Sequence, residues 1–173
     1  MKKYIMIIID IVLAILLVLF DQFTKYLAIA NLKQKAAYTV IDKVFELQYL
    51  ENRGSAFGIL QNQKMFILFV GVVFMAVICY FMIRLPMKNK FIILHVLLSF
   101  IFAGGVGNMI DRIRYDYVVD FFSFILINFP VFNVADCYIV VATIVLFFLF
   151  VFYYSEADLD FLKLKASKTR EIK

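Results

Sequence analysis

Four long apolar runs alternate with polar stretches along this chain of 173 residues. The runs cover residues 4–30, 65–83, 91–110 and 134–154. An α-helix rises ~1.5 Å per residue, and about 20 residues cross the hydrocarbon core of a bilayer. The pattern therefore predicts a mainly α membrane protein, with four transmembrane helices in a single integral membrane domain over residues 1–173.

The first apolar run is predicted to be a retained span. Residues 4–20 contain Asp10 as their only charge, and the polar sequence DQFTK follows them. A cleavable signal peptide would instead be followed by small residues. Within DQFTK, Asp21 and Lys25 are four residues apart on one helix face, a spacing that favours an ion pair at the end of the helix.

The stretch at residues 31–64 is the longest between two runs. Apolar and polar residues alternate over residues 44–50, which predicts a strand, and residues 37–41 can pair with it through the turn at 42–43. We expect a small β-cradle on the bilayer surface, formed from this first loop. The turn-rich residues 52–58 that follow are either a plain exit from the hairpin or a lip that faces a substrate.

The distribution of lysine and arginine predicts the orientation in the membrane. Basic residues are dense in the first three positions, in the turn at 84–90 and in the tail at 155–173, whereas residues 113–133 contain one, Arg114, and the longer stretch 31–64 contains five. Basic segments stay on the cytoplasmic side. We therefore expect both termini and the tail inside, and the loops 31–64 and 111–133 outside. The net charge of +5 then reflects membrane orientation, and no nucleic-acid partner is expected.

This topology gathers the unusual polar residues of an otherwise apolar chain, 65% of which is hydrophobic, on the outer side of the membrane. They are Asp21, Asn52, Asn108, Asp111, Arg112, Asp120, Asn133 and Asp136.

Asp120 and Asp136 are the two acids with the most apolar neighbours, in the sequences VVDFF and FNVAD. Each has an ordinary explanation: Asp120 as a turn or cap residue, and Asp136 as an acid in the first turn of a helix capped by Asn133. As a pair they suggest chemistry. Two carboxylates close together in an apolar site do not both ionise easily, so one keeps a proton while the other acts as a base. Such a pair can cleave a peptide bond with an activated water, without a metal or cofactor.

Three amides and an arginine accompany this pair in the predicted cluster. Asn52, Asn108 and Asn133 can donate to and accept from an extended peptide, and Arg112 can hold a carboxylate or a carbonyl. Hydrogen bonding between helices explains each of them equally well.

The remaining polar residues give little support to other chemistry. His95 is the only histidine and lies inside an apolar run, where a packed or hydrogen-bonded side chain is expected. Cys79 and Cys137 have no metal-binding spacing, and no disulfide is expected. Asp10 has no functional explanation from the sequence.

Five motifs in this order resemble those of the bacterial lipoprotein signal peptidases, also called type II signal peptidases. They are DQFTK at 21–25, ENRGSAFG at 51–58, GGVGNMIDR at 104–112, VVDFF at 118–122 and FNVAD at 132–136.

The resemblance implies a four-helix membrane aspartic protease without a cofactor. It would remove the signal peptide from a prolipoprotein, just before a cysteine that carries diacylglyceryl. It implies that Asp120 and Asp136 are catalytic and that Asn52, Gly54, Asn108, Arg112 and Asn133 match positions near the substrate. Asp21, Lys25 and Asp111 would be structural. We expect a monomer in contact with membrane lipid in a bacterial cytoplasmic membrane, with its active site at the outer face.

Three other functions fit parts of the pattern. A proton- or ion-coupled transporter needs acids deep within the spans, and only Asp10 is placed so deeply. A non-catalytic membrane scaffold would use the polar cluster to hold helices together, and it would tolerate Asp120→Asn. A lipid-headgroup phosphotransferase is disfavoured, because the chain has neither a phosphate-binding glycine loop nor a dense acidic run.

Overall fold

The computed structural model describes residues 3–54 and 63–162. Four α-helices dominate this part of the chain: α1 (Lys3–Leu32), α2 (Lys64–Arg84), α3 (Ile92–Tyr115) and α4 (Val134–Phe152). There are three β-strands: β1 (Tyr38–Ile41), β2 (Phe45–Asn52) and β3 (Val118–Phe124). Short 3₁₀ turns cover Asn89–Phe91, Ile125–Ile127 and Glu156–Leu162.

All four helices are long and apolar enough to cross a membrane, which confirms the four predicted spans. The most buried helix, α3, packs against α1, α2 and α4. Many large apolar side chains on the other helices are exposed, including Leu19, Phe69 and Phe147. An exposed apolar surface on a spanning helix is expected, because lipid covers it.

Glycines on α3 allow α1 and α4 to approach closely. A Cβ at Gly104 would lie 2.5 Å from the carbonyl oxygen of Ala135 on α4. A Cβ at Gly107 would collide with the carboxylate of Asp21 on α1. Small residues at such contacts are typical of helix packing in membranes. Here they bring three helices together at the level where the polar residues of the site are found.

The strands form one antiparallel sheet in the order β1-β2-β3. The predicted hairpin is confirmed, with Tyr38 opposite Leu47. Along the other pairing, Leu50 lies opposite Asp120 and Asn52 opposite Val118. The sheet therefore places the end of β2 beside the middle of β3, which carries Asp120.

The third strand adds a segment of the second loop to the sheet that was predicted from the first loop. β3 lies within residues 111–133, which the sequence pattern treats as a loop. Its first four residues are all buried, so the sequence VVDF shows no alternation of apolar and polar residues. A strand buried on both faces is not recognisable from a period of two.

The end of α3 also differs from the expected boundary. The apolar run stops at residue 110, but the helix continues to Tyr115 and ends where Asp116 adopts a left-handed conformation, with φ 68°. Asp111 and Arg112 therefore lie on the helix rather than in the loop. Polar residues extend the helix here because partners on neighbouring elements bind their side chains.

An apolar cluster connects the sheet to the helices. Ala28 of α1, Val119 and Phe121 of β3, and Val134 of α4 are buried together. This cluster fixes β3 against the start of α4. Two expectations fall outside the described residues: most of the possible lip at 52–58, of which residues 55–58 are not described, and the end of the tail at 163–173.

Candidate active site

The start of α4 holds Asp136 in a reciprocal cap. The side-chain oxygen of Asn133 accepts a hydrogen bond from the backbone N–H of Asp136 at 3.0 Å. In return, Asp136 Oδ2 accepts from the backbone N–H of Asn133 at 3.1 Å. This capping box confirms the predicted N-cap. It also fixes the carboxylate at the positive end of the helix dipole, where a negative charge is stabilised.

Asp120 lies in the middle of β3 and is only 1% exposed. Its two oxygens accept hydrogen bonds from two amides: Asn52 Nδ2 at 2.9 Å and Asn133 Nδ2 at 2.6 Å. Burial, and next to it the nearby charge of Asp136, raise the pKa of the Asp120 carboxyl from 3.8 to about 7, although the two amide hydrogen bonds act in the opposite direction. Asp120 can therefore hold a proton near neutral pH.

Two asparagines connect the carboxyl groups of Asp120 and Asp136. Asn133 Nδ2, which donates to Asp120, also donates to Asn108 Oδ1 at 3.1 Å. Asn108 Nδ2 in turn donates to Asp136 Oδ1 at 2.8 Å. The structure thus brings the two predicted acids into one hydrogen-bond network, although one lies on a strand and the other on a helix.

Lys25 determines which way the Asn108 amide faces. Its ammonium donates to Asn108 Oδ1 at 2.9 Å and lies 3.0 Å from carboxylate oxygens of both Asp21 and Asp111. An ammonium has three donors, so these three acceptors satisfy it. Because the oxygen of Asn108 must face the lysine, its NH₂ group must face Asp136.

The two acids around Lys25 also bind the backbone of the site. Asp21 Oδ1 accepts from the backbone N–H of Ala135 at 3.0 Å, at the start of α4. Asp111 Oδ2 accepts from the backbone N–H of Val119 at 3.1 Å, beside Asp120 on β3. The buried Asp21–Lys25–Asp111 cluster therefore holds the segments that carry both acids of the pair.

Arg112 lies at the other side of the site and holds the exit of β2. Its Nη2 donates to the carbonyl oxygen of Gly54 at 2.8 Å, and its Nη1 donates to the carbonyl oxygen of Asn108 at 3.3 Å. The Gly54 N–H donates to Asn52 Oδ1 at 3.0 Å. The predicted residues Asn52, Gly54, Asn108 and Arg112 are thus mutually connected.

A family model described as signal peptidase (SPase) II matches residues 13–152, which include all of these residues. This chain belongs to the signal peptidase II family. It is a multi-pass membrane protein with four helices that can span the bilayer.

Individual relatives agree with the family assignment. A lipoprotein signal peptidase of Caldanaerobacter subterraneus subsp. tengcongensis is 47% identical over 143 residues, covering 82% of this chain and 95% of the relative. One from Streptococcus thermophilus is 39% identical over 126 residues, covering 73% of this chain and 81% of the relative. A solved structure described as a bacterial membrane enzyme, determined by the in meso method at 2.3 Å, is 29% identical with a TM-score of 0.73, covering 92% of this chain and 94% of that one.

One polar residue of the site in this member of the signal peptidase II family, Gln22, was not predicted from the sequence. Gln22 Nε2 donates to Asp111 Oδ1 at 2.9 Å, to the carbonyl oxygen of Gly107 at 3.2 Å and to Asp21 Oδ2 at 3.2 Å. It therefore supports both acids that surround Lys25. The sequence does contain one indication of this role, because Gln22 is a polar amide next to Asp21 at the end of an apolar run.

Proposed function

We propose that the protein removes the signal peptide from diacylglyceryl-modified prolipoproteins, cleaving just before the lipidated cysteine with Asp120 and Asp136 as an aspartic catalytic pair. Family membership and the names of the relatives support lipoprotein signal peptidase activity. The observation that carries the assignment of the pair is the chain of amides through Asn133 and Asn108, which joins the two carboxyl groups.

The proposed mechanism divides the work between the two acids. Asp136, stabilised as an anion by its helix terminus, removes a proton from a water whose oxygen bonds to the scissile carbonyl carbon. Asp120, with a pKa raised to about 7, is the protonated partner. Its proton passes to the scissile nitrogen as the carbon–nitrogen bond breaks, so that the amine leaves neutral. This is the division of roles expected of paired carboxyl groups in one apolar site.

The polar residues around the pair have positioning roles in this proposal. Arg112 and Asn52 fix the backbone of Gly54, at the point where β2 leaves the sheet towards the proposed substrate-facing lip. A glycine there leaves room for a substrate backbone to lie beside the strand. Asn108 and Asn133 hold the carboxyl groups, so they act on the reaction through the acids.

The substrate's lipid fits this location. A diacylglyceryl group stays in the bilayer, and it would hold the scissile bond at the membrane surface, next to the sheet. The distribution of basic residues favours the outer face for this site, with both termini in the cytoplasm. All the proposed residues belong to one chain, so the site is complete in a monomer.

The experiment is cleavage of a diacylglyceryl-modified prolipoprotein by purified protein in detergent. Asp120→Asn and Asp136→Asn should each abolish cleavage before the lipidated cysteine. The matched control is Asp116→Asn, because Asp116 is also an acid near the sheet but is exposed and pairs with Lys64. Asparagine tolerates the left-handed conformation of residue 116, so this variant should cleave as the wild type does.

Unfolding measurements on the same samples separate loss of chemistry from loss of structure. If folded Asp120→Asn or Asp136→Asn protein cleaves as well as the wild type, the assignment of the pair is wrong, and the polar cluster is a structural connection between helices. If the wild type does not cleave the lipidated precursor but cleaves an unlipidated one, the proposed substrate is wrong.

A further inference from the structure

The segment between the two acids contains a surface that the proposed reaction does not use. No charged residue occurs between Asp120 and Asp136. In the middle of this segment, residues 124–129 form an exposed apolar turn, which we call the apolar tip. Leu126 and Ile127 at its end are each 68% exposed. Phe124, Ile125 and Phe129 are 39%, 40% and 44% exposed.

The apolar tip has a defined structure that points these side chains outwards. The backbone N–H of Phe129 donates to the carbonyl oxygen of Phe124 at 3.1 Å, and that of Asn128 donates to Ile125 at 3.2 Å. Leu126 donates to the carbonyl oxygen of Val44, at the turn between β1 and β2. The 3₁₀ turn is therefore closed within itself and tied to the sheet.

Aromatic packing fixes the base of the tip. The rings of Phe124 and Phe45 lie 4.9 Å apart, and those of Phe129 and Phe132 lie 5.7 Å apart. Phe132 also stacks on Phe124 at 5.8 Å. These contacts hold the backbone of the tip but leave Leu126 and Ile127 uncovered. Two aliphatic side chains that are held exposed on a fixed backbone indicate a surface that contacts an apolar environment.

The lipid-facing surface of the helices shows what that environment is. Exposed apolar residues on the spans, such as Phe69 on α2 at 66% and Phe147 on α4 at 61%, are exposed to the same degree as Leu126. The chain enters α4 at Val134, five residues after the tip ends, so the tip is continuous with a spanning helix. Charged side chains, which would keep a loop in water, are absent from the whole segment.

We propose that the apolar tip inserts Leu126 and Ile127 among the acyl chains of the leaflet on the side of the carboxyl pair. The sheet is then attached to the membrane at both ends of β3, through α3 at Val118 and through the tip after Phe124. Asp120 lies between these two attachments. The tip therefore adds an attachment to the bilayer beyond Phe124, in addition to the packing that already fixes β3 against the helices.

Tryptophan fluorescence tests the insertion, because the chain has no tryptophan of its own. Leu126→Trp is reconstituted into phosphatidylcholine bilayers that carry bromine on the acyl chains, which quenches only nearby tryptophan. Phe69→Trp is the matched lipid-facing control, five residues into α2 and equally exposed. Lys35→Trp, at an exposed residue between α1 and β1, is the control for the water side. The experiment uses no substrate and no turnover, so its result does not depend on the proposed peptidase activity.

The expected result is quenching of Leu126→Trp comparable with that of Phe69→Trp and several-fold greater than that of Lys35→Trp. Bromine placed near the headgroups should quench it more than bromine near the bilayer centre. The proposal is overturned if Leu126→Trp is quenched no more than Lys35→Trp. It is also overturned if the emission is blue-shifted without quenching, because the tip would then be covered by protein, such as a second copy of the chain.

Discussion

Replacing Lys25 by methionine tests the buried network that supports the carboxyl pair. The substitution keeps an unbranched apolar stem of nearly the same length and removes the ammonium group with its charge. In the wild type, the Lys25 ammonium lies 3.0 Å from both Asp21 and Asp111, which are 0% exposed. In the variant, these two buried carboxylates lose that positive charge. Asn108 loses its 2.9 Å hydrogen bond at the same time.

The size of the effect follows from the burial of all three groups. Removing one partner of a buried ion pair costs roughly 3–5 kcal/mol, because the remaining charge stays buried without compensation. Here two like charges remain, so the upper part of this range is expected. The backbone donors at Ala135 and Val119 are retained and limit the loss. In the proposed peptidase, release of the Asn108 amide should lower the cleavage rate of the remaining folded protein by roughly 10²-fold, because the amide no longer orients Asp136.

The assay is reversible unfolding in mixed detergent, followed by circular dichroism, with cleavage measured on the same samples. Lys33→Met is the control, because Lys33 also pairs with an acid, Glu51, but its side chain is 39% exposed. It should lose less than about 1 kcal/mol. Adding Asp111→Asn to Lys25→Met removes one of the two uncompensated charges and should recover part of the lost stability. If Lys25→Met unfolds within about 1 kcal/mol of the wild type, the reasoning about buried charge is refuted.

Three further outcomes are expected. Cleavage should decline as pH rises above about 7, because Asp120, with a pKa raised from 3.8 to about 7, then loses its proton. The same raised pKa makes the wild type lose stability as pH rises from about 4 to 7, so Asp120→Asn should lose less stability than the wild type over that interval. Gly104→Ala should lower the unfolding temperature far more than Gly105→Ala. The new Cβ at residue 104 would lie 2.5 Å from a backbone carbonyl oxygen, whereas the one at residue 105 would meet the flexible side chain of a methionine. Equal shifts of the unfolding temperature would contradict this. His95→Ala should cost about 1–3 kcal/mol in the same unfolding assay, because it removes the buried 2.8 Å hydrogen bond to Asp10.

The sequence pattern was sufficient where a local rule applies. Apolar runs of spanning length predicted the four helices, and alternation predicted the β1–β2 hairpin. The position of Asn133 three residues before Asp136 predicted the capping box, because both partners of this motif lie within one helical turn. The expected interhelical hydrogen bond of His95 was also found, and its partner Asp10 thereby gained an explanation that the sequence did not provide.

Other features depend on contacts that no local pattern encodes. Lys25 and Asn108 are 83 positions apart, and only the packing of α1 on α3 brings them together. The strand around Asp120 could not be recognised, because burial on both faces removes the alternation that marks a strand. The continuation of α3 through Asp111 and Arg112 was missed for a related reason: the partners that allow polar residues on that helix belong to α1 and to the exit of β2.

The use of amides between Lys25 and the carboxyl pair has a physical reason within the proposed mechanism. A lysine bonded directly to Asp120 would keep that carboxyl ionised, and it could not then hold a proton near neutral pH. The charge of Lys25 is instead matched by Asp21 and Asp111, and within the described residues the side chains that donate hydrogen bonds to Asp120 are the neutral amides of Asn52 and Asn133. Asn108 and Asn133 therefore transmit orientation from the buried ion cluster to the acids without transmitting a full charge. In the proposed mechanism the two acids share a proton, so a full positive charge must not bind to them directly. The hydrogen-bonded amides of Asn108 and Asn133 keep the charge of Lys25 apart from the pair.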